Sequence, residues 1–362
     1  MVKSTNHYDL DVIEKWNRIK NESAKVHGVV EVDTVNLPDW IDRDRYVNSC
    51  IPLFAKIRPS PPISGLVGLS YLVQLPTILP PLLYTKKSES VCALFTRYLD
   101  TILYVRHWQT TDIFDPETDG YKSLQSVRSF HRHINKVMNA SAEKHSTPTS
   151  VAPNVWVSQY DMVVTQWAFY GLMLMYPKSC GLYHVTNEEL YEIVYCWRVI
   201  SYFLGIDDRF SLWADNFEKT QQLCHLVFDE VYRPILDNQD PNSYGAKMAD
   251  DIFTSMSSVL GPFTAQVANK YWFRILGINR EVPLKTWFET FLYNLVLITY
   301  SGAFKFNVVY KMMNWFVEYD IVRKTNPESK RKKVAELKEK EENMEVRYVF
   351  HENVFELNKK TN

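Results

Sequence analysis

The stretch SESVCALFTRYLDTILYVRHW, Ser88 to Trp108, decides the fold. Its apolar residues Val91, Leu94, Phe95, Tyr98, Leu99, Ile102 and Leu103 recur at intervals of three and four, the spacing of one helix face. The turn cluster Asp115-Pro116-Glu117-Thr118-Asp119-Gly120 stops this period. The period resumes over Tyr121 to Met138, and His145 to Pro153 is Ser/Thr/Pro-rich and reads as a loop. Trp156 to Tyr176 is a strongly apolar helix closed by Pro177 and Gly181. Thr186-Asn187-Glu188-Glu189 is a capping box opening a helix with Leu190, Ile193, Val194 and Trp197, which Gly205 ends. Asp215 or Asn216 starts another helix that runs to near Pro234, and Met248 to Val267 and Thr286 to Tyr319 add more. There is no alternating hairpin series and no strand–helix–strand rhythm. The expected fold is all-α, a multi-helix bundle around one continuous core.

Three regions are expected. Residues 1–50 form a polar arm ending in Asp39-Trp40-Ile41-Asp42-Arg43-Asp44, residues 51–322 a helical domain, and residues 323–362 a charged tail. The tail holds Lys330-Arg331-Lys332-Lys333 and reads as a solvated helix or disordered segment, with contact to anionic lipid heads as the alternative. The chain has 46% hydrophobic and 14% aromatic residues, which supply a large core, and 11 glycines, too few for a Gly-rich phosphate cradle. A formal net charge of −1 gives no basic field for nucleic acid. Cys50, Cys92, Cys180, Cys196 and Cys224 are odd in number and scattered, which fits free buried thiols in a reducing compartment. The N-terminus lacks the apolar core of a signal peptide. Pro59 to Thr85 is uncharged, but five prolines after Pro59 interrupt it, so it reads as broken, buried helices. Peripheral attachment to a membrane through it, or through Thr290 to Phe304, stays open.

One constellation bears chemistry. Arg97 and Thr101 stand four residues apart and share a helix face; Arg128 and His131 stand three apart and share another. His133 points elsewhere, so it does not chelate an ion together with His131. A haem iron needs only one protein imidazole, and propionates need cations, which Arg128, Arg132 or Arg97 could supply. The plain readings are a hydrogen-bonded core histidine, a salt-bridged arginine, and a threonine hydroxyl bonded to the carbonyl four residues back. Gln159, Asp161, Thr165 and Gln166 interrupt the apolar helix from Trp156, and either satisfy one another's neighbours or line a pocket.

The run Val127-Arg128-Ser129-Phe130-His131-Arg132-His133-Ile134 resembles the V-R-x-x-H-x-x-[VI] signature of the family containing rubber oxygenases (latex-clearing proteins) and the endoplasmic-reticulum-bound oxygenase of mycophenolic acid biosynthesis. Ser158-Gln159-Tyr160-Asp161-Met162, Thr165-Gln166-Trp167-Ala168-Phe169 and the segment Trp197 to Phe210 follow in the family's order. The resemblance covers residues 60 to 235. It implies a globin-like core around haem b, His131 as the axial ligand, and Arg97 and Thr101 on the distal side. Asp100 stands where the rubber-cleaving members carry lysine, which argues against polyisoprene as substrate. The implied function is a haem-dependent oxygenase that uses dioxygen on an apolar isoprenoid or lipid-like alkene, inside the cell, in the cytoplasm or at the cytosolic face of the endoplasmic reticulum. The alternatives are a non-catalytic haem or lipid carrier and a cofactor-free helical interaction protein.

Overall fold

A computed structural model of the chain describes residues 8–145, 155–261 and 263–341. Among these residues every regular element is helical, apart from one isolated bridge between His27 and Ser158. The helices used below are α1 (Leu10–Arg18), α2 (Ile51–Ile57), α3 (Ser60–Leu72), α4 (Leu79–Tyr84), α5 (Val91–Thr110), α6 (Asp119–His145), α7 (Gln159–Met175), α8 (Asn187–Leu204), α9 (Phe217–Val227), α10 (Tyr244–Leu260), α11 (Ala265–Leu276), α12 (Trp287–Ser301), α13 (Asn307–Thr325) and α14 (Pro327–Glu341). The all-α class read from the sequence therefore holds.

The boundaries are local chemistry. Ser90, Ser158, Thr186 and Asn216 each accept a backbone N–H at a helix start, satisfying donors the first turn leaves orphaned. At Ser158 and Thr186 the acidic residue three positions on reciprocates. Gly205 ends α8 in the left-handed region at φ 87°.

At the centre α7 is buried on nearly all sides, as its largely apolar composition requires. α3 lies against it with backbone nearly touching backbone: a Cβ on Gly68 would stand 1.9 Å from the Ala168 carbonyl oxygen. Pro59 to Thr85 is split between α3 and α4, with Leu66, Val67 and Tyr71 in the core. No helix of the described residues is long and apolar enough to cross a membrane. The first fifty residues are less polar in place than on paper: Val12, Trp16, Ile19 and Tyr46 belong to the same core as α7. In the charged region, α14 is held against α5 by the Lys330–Asp100 ion pair and by Glu341, which accepts the Cys92 backbone N–H at 2.7 Å. The remainder of that tail, from residue 342, and the expected loop from residue 146 to Pro153 lie outside the described residues.

The cysteine reading needs correction. Cys50 and Cys196 form a disulfide that closes 146 residues, because the turn before α2 lies beside α8 with the two Cα atoms 6.0 Å apart. Cys92, Cys180 and Cys224 are free and buried. The argument for a reducing compartment loses its footing at two of its five positions.

Candidate functional site

Six helices, α3 to α8, line a cavity of about 1240 Å³, part of it open to solvent. α5 contributes Arg97, Tyr98 and Thr101, and α6 contributes Val127, Phe130, His131 and Ile134. The α6 residues follow the i, i+3, i+4, i+7 pattern of one face. α7 adds Asp161, Met162, Thr165, Gln166 and Phe169, and α8 adds Trp197 and Ser201. Arg97, Thr101 and His131, singled out by spacing in the sequence, thus line one space.

Among the described residues His131 makes no hydrogen bond, and its Nδ1 is sealed from solvent without a partner. Burial, aided by the Arg97 cation, pulls the His131 imidazole down to about 4. The ring is therefore neutral at ordinary pH and carries an available lone pair. Arg97 is also desolvated, which lowers its proton affinity from the usual arginine range. Its Nη1 donates to Ser88 Oγ at 3.1 Å and Thr85 Oγ1 at 3.3 Å, and no carboxylate of the described residues pairs with it. Part of both side chains' surface opens onto the cavity. Thr101 Oγ1 donates to the Arg97 carbonyl at 2.9 Å, so its lone pairs face the cavity while its proton is engaged.

The polar residues of α7 divide between the two readings open to them. Gln159 is a structural hub: its amide donates to the carbonyls of Gly28 (2.9 Å) and Gly205 (2.8 Å), and its oxygen accepts from Asp207 N (2.9 Å). Gln166 donates to the Trp197 carbonyl at 2.8 Å while also lining the cavity. Asp161 caps α7 with one carboxylate oxygen and leaves the other buried without a partner. Burial pushes Asp161 up to about 6, against the pull of Ser158 and of the nearby Thr77 hydroxyl. In the segment from Trp197 to Phe210, Arg198 holds Asp208 with two bonds of 2.6 and 2.5 Å, a structural clamp away from the cavity.

Other expected participants stand elsewhere. Arg128 turns to the Val30 carbonyl (3.2 Å) and Glu31 (3.4 Å), and Arg132 to Glu31 (3.1 Å). Neither lines the cavity. His133 is exposed, and Asp100 faces α14 rather than the cavity.

A second chamber of about 810 Å³ adjoins the first and shares Leu69, Tyr98, Thr101, Phe169 and Trp197 with it. Its far wall carries Arg58, Arg106 and Glu318, where Glu318 bridges both arginines. Arg58 and Glu318 also border an outer vestibule with Trp315, Tyr319, Val322 and Arg323. Sequence reasoning found none of this, because the pairing spans more than two hundred residues; the polar positions Arg106 and Glu318 on apolar helices were the available signal.

The arrangement offers a neutral nitrogen ligand, a fixed cation and a hydroxyl oxygen on an apolar wall. No three His, Cys, Asp or Glu side chains of the described residues gather as a metal-binding group, so any metal here would rely on one imidazole and on ligands from outside the chain. Compared with known proteins, the chain matches no family model, no curated protein and no solved structure.

Proposed function

We propose that this protein is a haem-dependent oxygenase that acts with dioxygen on an apolar, isoprenoid or lipid-like alkene, by oxidative cleavage of C=C. The observation that carries the reading is the convergence of His131 from α6 with Arg97 and Thr101 from α5 on one apolar-walled cavity. The donor set fits haem b on two counts. Among the described residues, His131 is a neutral imidazole without a competing hydrogen bond, and Arg97 is a buried cation without a counter-charge. When bound, haem supplies iron-centred activation of dioxygen. His131 would hold the iron. Arg97 presents a fixed guanidinium toward developing negative charge, held in place by Ser88 and Thr85. Thr101 marks the junction of the two chambers and offers acceptor lone pairs there. Leu69, Leu82, Met162 and Phe169 exclude water and suit a hydrocarbon.

A second reading, a non-catalytic haem or lipid carrier, draws on two observations. His131 Nδ1 has no acceptor to fix the ring, and the Thr101 proton is committed to its own helix. Haem reconstitution tests the main reading. The protein should gain a Soret band that His131→Ala loses, and should consume oxygen with isoprenoid alkenes. No band, or an equal band in the variant, overturns the haem assignment; a band without oxygen consumption leaves the carrier.

A further inference from the structure

Of fifteen large exposed hydrophobic side chains among the described residues, twelve lie between Trp287 and Val322. On α12, Trp287 (80% exposed), Phe291, Leu295 and Ile298 (65%) follow i, i+4, i+8, i+11, while Leu292, Val296 and Tyr300 on the opposite face are buried. On α13, Val308, Met312, Trp315 (67%), Tyr319 and Val322 follow i, i+4, i+7, i+11, i+14. These two consecutive helices each bury one apolar stripe and expose another. A soluble monomer rarely leaves two such apolar stripes uncovered on helices joined by one short turn, Ala303–Lys305.

Charge and composition say what covers it. From Lys285 to Thr325 there are five cations and three acids. Each acid is already engaged: Glu289 in the α12 capping box, Glu318 between Arg58 and Arg106, Asp320 with Arg323 and Lys324. Lys285, Lys305 and Lys311 have no acidic partner among the described residues, and the basic run from Lys330 begins one turn beyond α13. Exposed Trp, Phe and Tyr beside exposed lysines outside any ion pair of the described residues match the interface of an anionic bilayer, where aromatic rings sit at headgroup depth and each cation adds attraction.

We propose that the exposed face of α12 and α13 binds an anionic lipid bilayer and lays the vestibule of the inner cavity against it. Trp315, Tyr319 and Val322 belong to both the stripe and the vestibule. Behind them the Arg58–Glu318–Arg106 bridge separates the vestibule from the second chamber. An apolar molecule dissolved in the bilayer would reach the cavity without crossing water. Lipid docking stands whatever fills the cavity; only that route rests on the function proposed above.

Vesicle flotation of the full-length chain tests the docking, with no haem or substrate present. The wild type should float with phosphatidylcholine–phosphatidylserine vesicles, and less with phosphatidylcholine alone or in high salt. The triple variant Phe291→Glu, Ile298→Glu, Trp315→Glu should keep its circular dichroism and lose flotation by about tenfold or more, because the changed side chains contact no core. Failure of the wild type to float, or equal flotation of variant and wild type, overturns the proposal. So does a wild-type dimer that the variant converts to monomer without any vesicle binding, which would make the face a contact between two copies of the chain.

Discussion

Replacing Arg97 by methionine should make the ligand-free protein more stable while weakening its hold on a ligand. Met keeps the length of the side chain and gives up the charge. The wild-type guanidinium recovers two hydrogen bonds to hydroxyls, at 3.1 and 3.3 Å, and no ion pair with any described carboxylate. A hydrogen bond to a charged group contributes roughly 1.5–3 kcal/mol, and these two are long, so together they return about 3 kcal/mol. The effective penalty for burying an ion is several kcal/mol. The balance favours Met by about 1–3 kcal/mol. With an unfolding entropy of about 2.1 cal/mol/K per residue, a chain of 362 residues changes stability by roughly 0.8 kcal/mol per degree near its midpoint. The expected rise in Tm is therefore about 1–4 °C, read by differential scanning calorimetry of ligand-free protein. The same variant should show a weaker Soret band after reconstitution. A Tm that falls in the ligand-free variant refutes the reasoning, since it would mean the guanidinium is a strut that repays its own burial.

His131 should make stability pH-dependent. Its folded pKa of about 4 lies below the unfolded value of about 6.5, so the unfolded chain binds the extra proton. Stability is then full above pH 6.5 and declines by at most about 3 kcal/mol as pH falls to 4, a slope that urea titrations should find flattened in His131→Gln. Gly68→Ala puts a Cβ 1.9 Å from the Ala168 carbonyl oxygen and should cost about 1–3 kcal/mol or more, whereas at Gly65 the new Cβ meets only Phe169 Cδ1 at 4.0 Å and should stabilise the helix. Equal Tm changes in the two variants would contradict the close contact of α3 with α7. Asp100→Lys should loosen α14 by no more than about 1 kcal/mol and leave haem titration unchanged, and the exchange Asp100→Lys with Lys330→Asp should restore the loss. Altered haem affinity in the single variant would place position 100 at the cavity after all.

What was legible in the sequence was what lies within one helix. The cap at Thr186, the helix start at Asn216, the stop at Gly205 and the breaks inside Pro59 to Thr85 are short-range chemistry, and each stands where the residues put it. Arg97 and Thr101 point together for the same reason, and the periodicity of α6 brings His131 to the same cavity. Arg128 shows the limit of that reasoning. Three residues before His131, it is displaced by roughly 60° around a helix of 3.6 residues per turn. That angle carries it from the cavity to the segment at Val30 and Glu31, whose position no local pattern encodes. The Cys50–Cys196 bond and the Arg58–Glu318–Arg106 bridge are contacts across the whole chain, invisible to any window of a few turns. The first fifty residues misled through their average: the stripe Val12, Trp16, Ile19 is periodic, but the charged residues between hid it.

Position 100 ties these scales together. It is one residue before Thr101, hence about 100° around α5 from a residue that lines the cavity. In this chain that angle aims Asp100 at Lys330, at the start of the basic run on α14. The acid is therefore accounted for by the helix that docks on the outside of α5, and its chemistry says little about the space inside. A lysine introduced here would meet the ammonium group of Lys330 before it met anything in the cavity. The side chains that face the cavity stand one step further round: the Arg97 cation, the Thr101 hydroxyl, and the Tyr98, Phe169 and Trp197 rings shared by the two chambers.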